Sequence, residues 1–226
     1  KTCFEEDDPE VCDPYMLFSS GSGMVIFYKR GKAILTAAHV CKTDAFKGML
    51  GPFEGNDIVL RAVDRDNKKF YIKVLKYNVD LDICLLEADK LPIKAVNISS
   101  VRPVYGDRVY NIAAPVGIVD GDMVPLYEGF FFGLSEGRAF YSIPAIGGSS
   151  GSAILNLKGE IIGMIHSVHY RFHHISLSVG HKDLWNFVNS SYMHTSESQN
   201  MCLRSDSEQS QIEESLPHIQ PDLELR

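Results

Sequence analysis

The chain has 226 residues, 45% hydrophobic and 23% charged, the balance of an ordinary globular protein, and at roughly 100–200 residues per domain it accommodates one large domain or two small lobes. No apolar run approaches the roughly 18 residues of a membrane span, so a spanning membrane protein, a collagen and a wholly disordered chain are excluded. The net charge of −7 sits at the ends: Lys1–Pro14 carries six acids and one base, Met193–Arg226 seven and two, leaving 19 bases against 16 acids between them, which argues against nucleic-acid binding by phosphate neutralisation.

Residues 1–15 read as an acidic extension. The chain begins at Lys1, as a mature form after signal removal or a fragment of a longer polypeptide would, and no signal peptide is visible. From Met16 onward short β-branched and aromatic runs alternate with turn chemistry, the pattern of a sandwich or barrel. Strands are expected at Met24–Tyr28, Ala33–Leu35, Ile58–Val63, Phe70–Leu75, Ile83–Glu87, Arg108–Ile112, Leu126–Phe132, Ala139–Ile143, Ser152–Leu155, Ile161–His166 and Ile175–Ser178. Turn signals such as Lys29-Arg30-Gly31, Asp64-Arg65-Asp66-Asn67 and Ser135-Glu136-Gly137 separate them. A seam near Leu91–Arg102 divides two β lobes, 16–97 and 98–190. Only His181–Asn189 reads as a helix, with Leu184, Trp185 and Val188 on one edge. Residues 191–226 turn to Ser, Gln, Glu and His and are expected to be a disordered acidic tail.

Five cysteines (Cys3, Cys12, Cys41, Cys84, Cys202) are an odd number on a long chain, so no dense disulfide framework is expected and at least one thiol is free or intermolecular. Cys3 and Cys12 are close enough in sequence to pair in an oxidising compartment. No pair at zinc spacing occurs, and the adjacent His173 and His174 aim in different directions.

Three segments carry chemistry. In Ala33-Ile34-Leu35-Thr36-Ala37-Ala38-His39-Val40 a strand runs into small residues and then a histidine, which leaves the imidazole free to face a cleft or to pack structurally. In Asp80-Leu81-Asp82-Ile83-Cys84-Leu85-Leu86 an acid stands before an apolar strand, a costly position unless a donor such as an imidazole N–H meets it, or else a solvated turn. In Gly147-Gly148-Ser149-Ser150-Gly151-Ser152 glycines flank a serine pair, either a flexible loop or a place where backbone N–H groups converge on one point. Their order, histidine, aspartate, serine, on an all-β pattern, is that of an acyl-transfer triad.

With these residues the chain resembles a trypsin-like serine protease of the double β-barrel fold, and is most similar to HtrA-type proteases and viral or phage relatives. The resemblance covers about Phe18 to Val188. Ser20-Gly21-Ser22-Gly23 precedes Thr36-Ala37-Ala38-His39, Asp82-Ile83-Cys84-Leu85-Leu86 matches the family's acid-bearing strand and selects Asp82 over Asp80, and Gly106-Asp107-Arg108-Val109 through Pro115-Val116-Gly117 follows. Gly148-Ser149-Ser150-Gly151-Ser152 falls on the nucleophile motif.

The resemblance implies two antiparallel β-barrels and a serine endopeptidase of protein or peptide substrates, with no cofactor or metal. His39, Asp82 and Ser150 would form the triad, and Gly148 and Ser150 the oxyanion hole. The primary pocket would be walled by Pro144, Ala145 and Ile146 and by the strand carrying His166, Ser167 and Val168. A histidine there, His166 or else His169, His173 or His174, would favour Glu or Gln on the acyl side, against an alternative in which His166 is a packed strand residue and the pocket is apolar.

Three departures matter. Ser149 replaces the aspartate that receives a freed N-terminus, so no proteolytic activation is expected, and Ser152 replaces the second glycine. Cys41 lies one residue late and has no partner in the preceding strand, so the family disulfide is not expected. Two other readings use the same residues: an α/β-hydrolase elbow with Ser149 as nucleophile, which needs a following helix, and a pseudoprotease retained as a binding module.

Overall fold

The computed structural model describes residues 20–42, 60–88, 91–115 and 123–190. The expected N-terminal extension, the start of the Ile58–Val63 strand, the pairing of Cys3 with Cys12 and the disordered tail all lie outside them. The fold is all-β. β1 (Met24–Tyr28) and β2 (Gly31–Thr36) form a hairpin that pairs Met24 with Leu35 and Tyr28 with Gly31. Lys29 takes φ 51° in its two-residue turn, the left-handed geometry that matches strand twist. A single helical turn, α1 (Ala38–Cys41), follows and was not legible in the sequence. β3 (Arg61–Val63), β4 (Lys69–Asn78) and β5 (Ile83–Ala88) complete a sheet of order β1-β2-β5-β4-β3.

The second lobe comprises β6 (Arg108–Ile112), β7 (Leu126–Ser135), β8 (Arg138–Tyr141), β9 (Ala153–Leu155), β10 (Ile161–His169) and β11 (Phe172–Val179). These close into a barrel of order β10-β11-β8-β7-β6-β9. Closure leaves no unpaired edge among the described strands of that lobe. α2 (His181–Asn189) follows.

Alternation of side chains explains how the lobes join. Leu35, Ile83 and Leu85 point one way, into a core shared with Ile161, Met164 and Val179 of the barrel and Leu184, Phe187 and Val188 of α2. Their neighbours Ile34, Cys84 and Leu86 point the other way, into a first-lobe core with Phe70 and Leu91. The central strands are therefore buried on both faces, which is why they read as continuous apolar runs rather than as alternating ones. The barrel has its own core around Val109, Phe131, Tyr141, Ile154 and Ile162. The seam segment hydrogen-bonds to both lobes: Val96 N–H donates to Val25 O and Ile161 N–H to Asn97 O, each at 2.8 Å.

Lys76 fastens α2 to β4. Its ammonium is buried, donates to the carbonyls of Phe187 and, at 2.8 Å, Ser190, and lies 4.7 Å from the centroid of the Phe187 ring. Cationic donors at a helix C-terminus satisfy carbonyls that the helix itself leaves open. Burial, with Lys29 nearby, holds the Lys76 pKa below the usual lysine value. Lys76→Met keeps the stem but strands two carbonyls, and is expected to destabilise the fold by about 1–3 kcal/mol, read as a lower urea midpoint at unchanged m-value.

Candidate active site

β2 pairs with β5 through Thr36 and Cys84, so the turn after β2 lands beside the turn before β5. The first carries His39 and the second Asp82. His39 Nδ1 lies 2.6 Å from Asp82 Oδ2, and the His39 backbone N–H donates to Asp82 Oδ1 at 2.9 Å. Both carboxylate oxygens are thus engaged by one residue, which keeps the ring proton on Nδ1 and leaves Nε2 as a proton acceptor. Asp82 itself sits at φ 52°, a left-handed backbone that aspartate tolerates better than most residues and that recurs at functional sites. Asp80, two residues earlier, is exposed.

The electrostatics follow the geometry. The hydrogen bond to Asp82 raises the His39 pKa above the ordinary imidazole value, with burial opposing and the Asp82 charge adding to the rise. Burial pushes the Asp82 carboxyl up, but the side-chain and backbone hydrogen bonds from His39, with the electrostatic effects of His39 and His166, hold it below its ordinary value.

A disulfide reinforces this pair. Cys41 and Cys84 are bonded, with Cα atoms 6.5 Å apart, and each lies two residues beyond a member of the pair. The expectation that Cys41 lacks the family disulfide concerned a partner in the preceding strand; the bond present reaches β5 instead, brought alongside by the β2–β5 pairing. It closes a loop across a sequence separation of 43, so the chain-entropy estimate of its worth is about 4 kcal/mol. Replacing both cysteines by alanine is expected to cost roughly 2–4 kcal/mol, checked by denaturant unfolding of the double variant.

The serine loop is held by β10 on one side and by Ser22 on the other. Gly151 N–H donates to Ile165 O at 2.6 Å and Ile165 N–H to Ser152 O at 3.0 Å, pinning the loop to β10. Gly151 has φ 89°, and a Cβ on it would lie 2.1 Å from Ser22 O, so only glycine fits. Ser22 is the clasp between the lobes. Its N–H donates to Ser150 O at 2.7 Å, its hydroxyl donates to Gly148 O at 2.7 Å and accepts from Ala114 N–H at 2.9 Å, and its carbonyl accepts from Thr36 Oγ1 at 2.7 Å. The adjacent Gly21 packs so closely that a Cβ on it would meet both Val40, next to His39, and Ser150 O. Among the described residues, neither Gly148 N–H nor Ser150 N–H donates to a backbone carbonyl. Ser149 is only 1% exposed, and its Oγ accepts from Ile146 N–H at 3.3 Å. The residues after Gly151 form strand β9, not the helix that a hydrolase elbow requires.

Beside the loop lies a cavity of about 320 Å³ lined by Tyr127, Pro144, Ala145, Ile146, Ser149 and His174. Pro144, Ala145 and Ile146, expected to wall the primary pocket, are among its lining residues. His166, Ser167 and Val168 do not line it: His166 Nδ1 instead faces Asp82 Oδ2 at 3.9 Å, and His174 is the histidine in the cavity. The register of β10 shifts at His166, and a bulge of this kind turns one side chain away from where strict alternation puts it. Tyr127 carried no signal in the sequence beyond its residue type, whereas Ser22 lies in the Ser20-Gly21-Ser22-Gly23 segment that the resemblance singled out, though not for a bonding role. Among the described residues no group of three or more His, Cys, Asp or Glu side chains stands ready to hold a metal ion, and no helix is long and apolar enough to cross a membrane.

The trypsin-like peptidase domain family matches residues 21–164. No curated protein matches the chain in sequence. In fold it is similar to a serine endoprotease from Yersinia pestis, with a TM-score of 0.60 and 18% identity over 76% of this chain and 57% of that one. It is also similar to the Rv3671c protease of M. tuberculosis in its active form, with a TM-score of 0.59 and 15% identity over 77% of this chain and 76% of that one. The inactive form of Rv3671c gives a TM-score of 0.59 and 16% identity over 77% and 84%. The chain thus spans little more than half the length of the Yersinia enzyme.

Proposed function

The chain belongs to the trypsin-like peptidase domain family, and on that premise we propose that it is a serine endopeptidase working through His39, Asp82 and Ser150. The observation that carries this reading is the two-point attachment of His39 to Asp82, at 2.6 and 2.9 Å, in a chain whose serine loop is bonded to Ser22, which in turn accepts from Thr36 at the end of β2. In this reading His39 Nε2 takes the proton from Ser150 Oγ as the oxygen attacks a peptide carbonyl, forming a tetrahedral intermediate. The same proton then goes to the leaving amine, the C–N bond breaks, and an acyl-enzyme remains for water to hydrolyse. Asp82 stabilises the imidazolium formed on the way. The Gly148 and Ser150 N–H groups receive the oxyanion, an interaction worth about two to three powers of ten in rate per donor. Burial of Ser149 and the strand after the loop weigh against the elbow reading.

The cavity supports a substrate preference. Pro144, Ala145 and Ile146 offer apolar walls for an aliphatic stem, and the lining also includes Tyr127 and His174, side chains able to donate an O–H and an N–H. Such donors suit an acceptor at the end of the side chain, so the acyl-side residue is Glu or Gln, with His174 in the role first expected of His166. A site built around such donors rejects side chains that leave them unpaired. A peptide-library digest read by mass spectrometry, with Ser150→Ala as control, tests both levels of the proposal. The expected profile is dominated by Glu or Gln and loses that preference in His174→Leu; cleavage after Leu, Val or Phe, unchanged in His174→Leu, contradicts the preference, and cleavage surviving in Ser150→Ala contradicts the reading as a whole.

A further inference from the structure

His166 does not belong to the substrate cavity, and three observations indicate what it does. First, β10 shifts register against β11 between Ile165 and Ser167, so His166 is the unpaired residue of a bulge and its side chain is re-aimed. Second, its neighbour Ile165 is bonded through both its N–H and its carbonyl to the serine loop, at 3.0 and 2.6 Å, which fixes the bulge relative to Ser150. Third, the re-aimed ring, with only 13% of its side chain exposed, presents Nδ1 to Asp82 Oδ2 at 3.9 Å, the same oxygen that His39 Nδ1 meets at 2.6 Å.

Resting on the triad reading, we propose that His166 is a positioning residue for the catalytic acid: it carries its proton on Nδ1 and directs that N–H at Asp82 Oδ2, so the carboxylate is held between two imidazoles. A separation of 3.9 Å is longer than a direct hydrogen bond, so the interaction is that of a buried N–H dipole with a fixed charge. The charged and titratable groups facing His166 are Asp82 from the turn before β5, Arg138 from β8 and His39 from α1. Burial lowers the His166 pKa, Arg138 and His39 lower it further, and Asp82 opposes them. The ring is thus neutral at neutral pH and serves as a donor without competing with His39 as a second cation.

The test uses three variants that place a donor differently. Asparagine keeps an N–H near the position of Nδ1, glutamine moves it toward that of Nε2, and leucine removes it. His166→Leu is expected to lower kcat about tenfold, as loss of a buried dipole that steadies the Asp82 charge beside the His39 imidazolium, with KM within about twofold and the cleavage profile unchanged. The acid limb of kcat/KM should move to higher pH, because Asp82 without its second donor accepts more strongly from His39 and raises that pKa. His166→Asn should restore both rate and limb, and His166→Gln should not. Three results would overturn the proposal: kcat and acid limb untouched in His166→Leu; a changed KM and cleavage profile at constant kcat; or equal losses in the Leu and Asn variants with a lowered Tm. Asp82→Asn assayed in parallel separates the two levels. If it stays active, the triad reading fails; if it is inactive while His166→Leu is unaffected, only this proposal fails.

Discussion

Ser150→Ala is expected to lower kcat by about four to six powers of ten, because a nucleophile and its base act as a unit and lose nearly everything together. The fold should survive the change. Ser150 contributes to the structure through its carbonyl, which accepts from Ser22 N–H, and alanine keeps that carbonyl; the melting temperature should therefore stay within about two degrees, as for a substitution of under roughly 0.5 kcal/mol. Ser149→Ala is the instructive contrast. It removes a buried hydroxyl that accepts from Ile146 N–H, so it should cost about 1 kcal/mol of stability and disturb the cavity wall, lowering activity through geometry and leaving the nucleophile in place. Steady-state kinetics on one peptide, beside thermal melts, distinguishes the two serines. Equal losses of about four or more powers of ten in both variants would remove the basis for choosing Ser150.

Asp82→Asn is expected to lose about four powers of ten in kcat by holding His39 in the wrong tautomer. An amide has one acceptor oxygen and an NH2 in place of the other, so one of the two contacts from His39, at 2.6 or 2.9 Å, must be given up. The pH dependence has a definite sign. His39 works as a base only when neutral, and its pKa is raised, first by the hydrogen bond to Asp82 and against the effect of burial. Activity in the wild type therefore disappears, as pH falls, through a value above the ordinary imidazole one. In Asp82→Asn the carboxylate's contribution is gone and burial remains, so the residual activity should lose its acid limb at lower pH. A limb that stays in place would mean that the titrating group is not His39.

Much of this architecture was legible because strands in such a fold are short β-branched and aromatic runs with turn residues between them. Met24–Tyr28, Arg108–Ile112 and the helix His181–Asn189 lie where their sequences place them. β4 and β7 run on to Asn78 and Ser135, past Leu75 and Phe132, because pairing with β5 and with β8 extends a strand into residues whose own patterns are polar or mixed. α1 is four residues long, too short for any periodicity to show. The Cys41–Cys84 bond depends on the lateral pairing of β2 with β5, a long-range fact, although both cysteines stand two residues beyond the residues they brace. That His174 and not His166 is among the residues lining the cavity has a similar reason. A one-residue bulge in β10 reverses which way a side chain points, and no residue type near Ile165 announces it.

The central claim is that Ser150 is an activated nucleophile, and labelling the full chain with a fluorophosphonate, followed by peptide mapping, tests it most directly. The account predicts a single adduct on Ser150 that does not form in His39→Ala. An adduct on Ser149, or a wild-type chain left unmodified while a known serine protease in the same tube reacts, would contradict it.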